Sequence, residues 1–497
     1  MENPVAKKWS QEVWFAIFTS FALFFVLFCF DYSTLLAADK RVLTPLVNKQ
    51  ENPLVISDNK TGSTGKNSGS DPCAGQYIYI HDLPSRFNSD LLKNCRLLTR
   101  GTKNSMCPYI ENEGLGPLVE DYEGVLSNKS WFSTNQFMLE VIFHSKMMQY
   151  RCLTKDSSMA SAVFVPFYAG LDVSLRLWDA NISMRDSSAH DLLNWLSKKP
   201  EWKKMWGRDH FMVAGRISWD FRRQTDNTTD WGSKLRFLPE SMNMSMLSVE
   251  ASSWRNDYAI PYPTYFHPSR DSAVFEWQSR MRGRTRPYLF TFAGAPRPDL
   301  TNSIRGKVID QCQTSNSCKF IDCGSVQNSC SKPVTVMRVF QSSVYCLQPP
   351  GDSYTRRSIF DSVLAGCIPV FFHPGTAYSQ YVWHFPKNHT KYSVYIPVRD
   401  VMKDLTEGSI EKVLLGISKN EEASMREEVI KLIPKIVYAD PRSRLETLED
   451  AFDLAVKGII ERVEEVRRVI KEGNDPSVGF AEEDSYKYTF SQYNNRG

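Results

Sequence analysis

The sequence predicts an α/β protein built from two units of similar design, and three observations predict it. Short β-rich runs recur along the chain with helical stretches between them, the pattern of a largely parallel sheet. The segment from Val344 to Phe372, VYCLQPPGDSYTRRSIFDSVLAGCIPVFF, reads as strand, tight loop, helix, strand. The length of 497 residues suffices for two domains with full cores and further segments besides.

Order is expected to begin near Cys73. Gln76–Ile80 (QYIYI) forms a short strand that stops at His81-Asp82-Leu83-Pro84. Phe132–Tyr150 is expected to be a helix, capped by Ser133 or Thr134, with Phe137, Val141 and Met148 at helical spacing. Ala162–Phe167 is a buried strand leading to Tyr168–Asp172, and Phe211–Ala214 is another leading to Gly215–Asp220. Proline-rich PYPTYFHP at 261–268 marks the passage to the second unit. The strands of that unit are Pro287–Phe292, Val344–Leu347, Cys367–Phe372 and Ser393–Pro397. Beyond Glu421 the apolar residues lie at helical spacing, which core packing explains. The chain thus divides into an arm (1–12), an apolar span (13–30), a stem (31–72), two α/β domains (73–270 and 271–420), C-terminal helices (421–472) and a poorly ordered tail (473–497).

Composition narrows the function classes. Sixty basic against fifty-six acidic side chains leave a formal charge of +4, too balanced for a nucleic-acid binder. Arg280, Arg282, Arg284 and Arg286 form a local basic run, expected to be a solvated face. Val13–Phe30 carries no charge, and as a helix it spans roughly 27 Å, close to the hydrocarbon core of a bilayer. Lys7 and Lys8 before it and Asp31 after it keep the short arm cytoplasmic. The stretch exceeds the core of a cleaved signal peptide and no A-x-A site follows, so it is expected to be an uncleaved anchor. The Gly/Ser/Asn/Lys-rich residues up to 72 read as a flexible stem.

The rest of the chain is then lumenal. Asn-x-Ser/Thr sequons start at Asn59, Asn128, Asn181, Asn227, Asn243 and Asn388. Of eleven cysteines one, Cys29, falls in the span, and the other ten make an even set for which disulfides are the default in an oxidising lumen. Cys312, Cys318, Cys323 and Cys330 cluster without zinc-ligand spacing and read as a cross-braced loop, their pairing undetermined.

Chemistry concentrates in Val344–Phe372. Pro349-Pro350-Gly351-Asp352 forms a tight loop, Ser353 or Thr355 caps a helix running to about Ala365, and Gly366 suits its left-handed C-terminal position. Free N–H groups and the positive helix end favour an anion at that loop. Arg356 and Arg357 are placed to add charge against a diphosphate, and Asp361 to accept hydrogen bonds from ribose hydroxyls. The residues alone are equally consistent with an ordinary βαβ unit whose arginines face water.

The PPGD…TRRS…FD segment resembles the nucleotide-sugar motif of exostosin-type glycosyltransferases, family 47 in the sequence classification. Further matches follow in one order over about four hundred residues: YIYIHDLPSRFN at 77–88, LEVIFHSKMMQYRCLT at 139–154, VFVPFYAGLD at 163–172, GRDHFMVAGRISWDFRR at 207–223 and RPYLFTFAGAPRP at 286–298. Together they resemble the plant branch that includes xyloglucan galactosyltransferases.

The resemblance implies a GT-B fold, two Rossmann-like domains facing across a cleft, with the acceptor on the first and the nucleotide sugar on the second. It implies an inverting transfer of galactose from UDP-galactose to xylosyl side chains of xyloglucan, without a metal or other cofactor. It also implies a single-pass type II Golgi membrane protein, with other cell-wall glycosyltransferases as possible associates. Consistent with this, no Asp-x-Asp triplet occurs. Gly351, Asp352, Arg356, Arg357 and Asp361, with Gly294, Arg297 and Arg305 after the Pro287–Phe292 strand, are the candidate donor residues.

An inverting transfer needs a general base. Ligands of open α/β sheets gather beyond the carboxyl ends of strands, which nominates His81, Asp82, Asp172 and Asp220, with Asp220 or Asp172 preferred. Asp209-His210 precedes its strand and reads as structural. Trp131, Tyr168, Trp178, Trp206, Trp219 and Trp231 supply aromatic surface for a glucan, or for the core. Within the family UDP-arabinose, UDP-galacturonic acid or UDP-xylose remain alternative donors, and a catalytically silent Golgi assembly partner is another reading. A glycan hydrolase would need a carboxylate pair that nothing in the sequence marks.

Overall fold

The computed structural model describes residues 71–98, 105–127, 129–176, 181–252, 256–297, 303–324, 330, 332–403 and 409–476. The expected arm, the apolar span at 13–30, nearly all of the stem, the tail beyond 476, Asn59, Asn128 and Trp178 lie outside the described residues. Among the described residues, no helix is long and apolar enough to cross a membrane.

Two wholly parallel sheets organise the chain. The first contains β1 (Tyr77–Ile80), β2 (Leu153–Thr154), β3 (Ala160–Phe164), β4 (His210–Ile217), β5 (Ser245–Glu250) and β6 (Asp257–Ala259), in the order β2-β1-β3-β4-β5-β6. The second contains β7 (Tyr288–Gly294), β8 (Cys318–Asp322), β9 (Ser343–Gln348), β10 (Ile368–Phe371) and β11 (Val394–Tyr395), in the order β11-β10-β9-β7-β8. Helices cover parallel sheets on both faces, so their strands lack polar alternation. β3 (ASAVF), β9 (SVYCLQ) and β10 (IPVF) are accordingly buried at every position.

The helices used below are α1 (Leu139–Met148), α2 (Ala169–Arg176), α3 (Ile182–Leu196), α4 (Asp271–Arg282), α5 (Arg305–Thr314), α6 (Arg357–Leu364) and α7 (Ala451–Lys471). α7 belongs to the last part of the chain yet returns to the first sheet. Arg467 Nη2 donates to Ala160 O of β3 at 3.1 Å, the Phe452 and Phe143 rings lie 4.8 Å apart, and Lys146 of α1 pairs with the N-cap Asp450 at 2.8 Å.

Several local expectations are corrected. The helix expected over Phe132–Tyr150 starts only at Leu139, after a single turn at Gln136–Met138 that Asn135, not Ser133 or Thr134, caps by accepting from Phe137 N. Phe132 is extended instead, donating its N–H to Tyr265 O at 2.9 Å. The arginine run at 280–286 is a solvated face only in part: Arg282 is exposed and pairs with Glu427 at 2.9 Å. Arg286 is largely buried and donates to the carbonyls of Phe340, Ser343 and Ala365, while Arg280 donates to those of Leu126 and Val125. Burial pushes the Arg286 guanidinium down to about 9. The cysteine-rich loop contains strand β8, flanked by two local bridges, Cys312–Cys318 and Cys323–Cys330. Cys73–Cys152, Cys95–Cys107 and Cys346–Cys367 pair the remaining described cysteines, the last joining β9 to the residue before β10.

One buried carboxylate knits the first domain together. Glu140 of α1 accepts from Leu171 N with Oε1 at 2.8 Å, and from Gly170 N and Gly215 N with Oε2 at 3.0 Å each. Burial pushes this carboxyl up to about 7, while the three N–H donors and Arg216 pull it down. An amide cannot replace it, because one of its two heads would point N–H at N–H. Glu140→Gln is therefore expected to lower unfolding stability by about 3 kcal/mol, measured by denaturant titration.

Candidate active site

Strand order reverses between β7 and β9 in the second sheet, so the loops after these two strands flank a crevice, the usual ligand position in such sheets. The two loops are Ala295–Arg297 and Pro349–Arg356, and arginines tie them together. Arg297 Nε donates to Asp352 Oδ1 at 2.9 Å, lowering the Asp352 pKa. Arg305, opening α5, reaches Pro350 O with Nε at 3.1 Å and Ala295 O with Nη1 at 3.1 Å. Arg356 folds back over the loop to Pro349 O with Nε at 3.0 Å and Ser353 O with Nη2 at 3.3 Å. Burial first, then repulsion from Arg356 and Arg297, brings the Arg305 guanidinium down to about 9. Three cations crowded onto carbonyls, with the Asp352 carboxylate among them and Glu250 acting on Arg356 from the other domain, form a site suited to an anion.

Gly351 makes this convergence possible: a Cβ there would lie 1.8 Å from Arg356 Nη2 and 2.8 Å from Arg305 Nη2. Gly351→Ala is expected to displace both guanidinium groups, weakening binding of a diphosphate-bearing ligand about tenfold and lowering the melting temperature as the loop loses their carbonyl bonds. Steady-state kinetics beside a melting curve checks this. Gly294 has a packing reason instead, since the Phe292 ring takes the place its Cβ would occupy.

The expected helix cap differs. α6 begins at Arg357 without a side-chain cap on its first turn, and Gly366 is left-handed as expected, with φ +62°. Thr355 turns to the other domain, giving its N–H and Oγ1–H to Glu250 Oε2 at 2.7 and 2.6 Å. Burial raises the Glu250 carboxyl while these donors lower it.

Arg356 and Arg357 do not act side by side. Arg357 points the opposite way, its guanidinium 3.5 Å from the Tyr265 ring centroid, with Nη1 donating to Thr134 O and Nε 3.6 Å from Asp361 Oδ2. Burial drives the Asp361 carboxyl up to about 6, with Arg357 opposing. Asp361 Oδ1 and Arg357 Nη2 are buried without a hydrogen-bond partner. Both residues line a cavity of about 340 Å³ between the domains, with Gln136, Phe137 and Tyr265. Buried polar atoms left open inside a cavity are groups a polar ligand completes.

A second cavity of about 420 Å³ adjoins the first through Gln136, Phe137 and Arg357. Its first-domain wall carries Asp220, Trp219 and Trp231, and its second-domain wall Asp352, Thr355 and Arg356. Of the nominated bases the structure brings only Asp220 to this cleft. Asp220 Oδ2 accepts from Arg216 Nη1 at 2.7 Å and Oδ1 from Trp231 Nε1 at 2.6 Å. Asp172 is buried between helices α2 and α3, bonded to Ser188 Oγ at 2.7 Å and 3.4 Å from Arg176 Nε, and burial raises its pKa. His81 is buried against His210, Nε2 to Nε2 at 3.0 Å, and burial and that neighbour pull it down to about 3. His210 Nδ1 bonds Asp209 in turn at 2.7 Å, so this chain of side chains is structural. Exposed Asp82 lines neither cavity. Sequence reasoning passed over Glu250, Gln136 and Tyr265; the strand-like SMLSVE ending at Glu250 was the available signal.

Residues 72–414 match the Exostosin GT47 domain. The chain belongs to that family. Relatives of this GT47 protein include the probable xyloglucan galactosyltransferase GT14 of Arabidopsis thaliana, 59% identical over 97% of this chain and 93% of its own length. The xyloglucan galactosyltransferase MUR3 of Arabidopsis thaliana is 56% identical over 86% of this chain and 68% of its own. The xyloglucan-specific galacturonosyltransferase 1 of Arabidopsis thaliana is 41% identical over 81% and 59%. The GT47 protein described here is a glycosyltransferase, and two adjoining cavities lie between its domains.

Proposed function

We propose that this enzyme transfers galactose from UDP-galactose to the xylosyl side chains of xyloglucan, with inversion at the anomeric carbon. The observation that carries the reading is the inter-domain cleft, with an arginine cluster on one wall and a carboxylate among tryptophans on the other. The relatives' xyloglucan specificity gives the acceptor, and the greater identity to the galactosyltransferases favours galactose over galacturonic acid.

In this reading Asp220 takes the proton of the acceptor hydroxyl, whose oxygen bonds to the anomeric carbon as the bond to the UDP oxygen breaks. A carboxylate has about four lone-pair sites, so the bonds from Arg216 and Trp231 leave room for the acceptor. Arg297, Arg305 and Arg356 take up the charge of the leaving diphosphate, the role a cation fills elsewhere. Asp361 accepts from the ribose hydroxyls and Arg357 holds it.

The chain is further proposed to be a single-pass type II protein of the Golgi membrane, anchored by residues 13–30. Five disulfides suit an oxidising compartment. Asn181, Asn227 and Asn388 are exposed, whereas the Asn243 amide donates to Trp206 O at 2.9 Å. Glycopeptide mass spectrometry is expected to find glycans at the first three and little at Asn243.

The test incubates the full-length chain in detergent with galactose-free xyloglucan oligosaccharide, each UDP-sugar in turn, and a chelator. Hexose addition from UDP-galactose alone is the expected result. A uronic acid or pentose added instead replaces the donor, and transfer that stops with chelator replaces the arginine mechanism.

A further inference from the structure

We infer that Trp219 and Trp231 form the acceptor platform of the cleft, Trp219 by stacking a sugar ring of a neutral glycan and Trp231 by holding the Asp220 carboxylate. The inference rests on the reading that a polysaccharide is the acceptor.

Large aromatic side chains are seldom left open to water, and those gathered in a cleft mark a binding surface. Trp219 is 58% exposed and Trp231 41%, and both line the cavity that holds Asp220. Their outward direction is imposed by the backbone. Ser218 and Phe221, on either side of Trp219 in the turn that follows β4, are buried, and Ser218 Oγ donates to Asp257 Oδ2 at 2.6 Å. A turn anchored at both ends leaves Trp219 facing the cleft.

The segment carrying Trp231 is fastened to the same turn. Ser233 N donates to Asp220 O at 2.9 Å and Arg223 N to Ser233 O at 3.0 Å. Between them Gly232 has φ +85°, and a Cβ there would lie 2.3 Å from Asp220 O, so only glycine permits the approach. The result puts Trp231 Nε1 at 2.6 Å from Asp220 Oδ1.

The chemistry favours a neutral partner. Arg216 and Asp220 on this wall pair with each other at 2.7 Å, and Phe137, Ile217, Val249 and Tyr262 fill out the lining. The C–H face of a pyranose suits an indole, whose apolar body and polar edge match a sugar's own two characters. The two tryptophans therefore separate in role: the Trp219 ring binds, while Trp231 is a positioning residue acting through Asp220.

The experiment runs full-length protein in detergent through gels containing xyloglucan or polygalacturonate, and measures kinetics with each substrate varied. Wild type is expected to be retarded by xyloglucan and not by polygalacturonate. Trp219→Ala is expected to lose the retardation and raise acceptor KM about tenfold, with donor KM within about twofold. Trp219→Tyr keeps a ring and should keep most of the retardation. Trp231→Phe keeps the ring but loses the N–H; it should lower kcat about 10- to 100-fold with acceptor KM little changed.

Retention of xyloglucan affinity in folded Trp219→Ala overturns the platform, as does equal loss in the tyrosine variant, which indicates packing. A normal kcat in Trp231→Phe overturns the positioning role. Gel retardation needs no donor, so loss of retardation in Trp219→Ala supports the platform whichever sugar the wild type transfers.

Discussion

Replacing Asp220 by asparagine is expected to lower kcat about 10³-fold, within the range a general base supplies. The donor KM should change little, because the donor-side arginines do not touch this carboxylate. Arg216 Nη1 and Trp231 Nε1 both give hydrogen bonds to Asp220, one to each oxygen. An amide must turn its N–H₂ toward one of them and gives up the buried ion pair with Arg216, which costs stability of about 3 kcal/mol. Steady-state kinetics with a melting curve separates the two effects. More than a tenth of wild-type kcat in the folded variant removes Asp220 from the base role.

Arg356→Ala is expected to reduce kcat/KM about 10²-fold, the loss typical of removing one preorganised donor from developing charge. Arg356 also props the loop it spans, with bonds to Pro349 O and Ser353 O. The lesion should therefore appear in donor KM as well as in kcat. Lysine should not rescue it, since an ammonium lacks the planar fork that reaches two carbonyls and still faces a phosphate. Thermal stabilisation by UDP is the independent readout: wild type gains by mass action and the variant gains much less. Equal stabilisation of both proteins would remove Arg356 from the donor site.

Much of this architecture is legible in the sequence, and the reasons differ by element. β9, its PPGD loop, α6 and Gly366 follow from an apolar run, a Pro/Gly loop, one apolar helical face and a residue tolerant of positive φ. β8 escaped notice because CKFID is short and carries a lysine and an aspartate, and its cysteines drew the reading toward a loop. Ser353 and Thr355 look like caps because capping preference is local, whereas Thr355 answers to Glu250, 105 residues earlier in the chain. The separation of Arg356 from Arg357 is likewise invisible from spacing: adjacent side chains at a helix entry diverge, and only the folded loop shows which carbonyls each one meets. Asp220, Asp172 and His81 are equivalent by motif and strand-end position. Their different surroundings distinguish them only once the sheets are assembled.

The bond between Thr355 and Glu250 has a consequence for donor binding. The loop proposed to meet the donor diphosphate is also part of the seam between the two halves of the protein, through Thr355 to Glu250 and the neighbouring Tyr262 hydroxyl, 3.3 Å from Thr355 Oγ1. The bonds from Thr355 to Glu250 and Tyr262 are made within the chain, so in the proposed reading a nucleotide sugar that meets this loop spends little of its binding energy on ordering it. By linkage, if the nucleotide binds the joined seam better than the parted one, loosening the seam weakens the grip on it by the same factor.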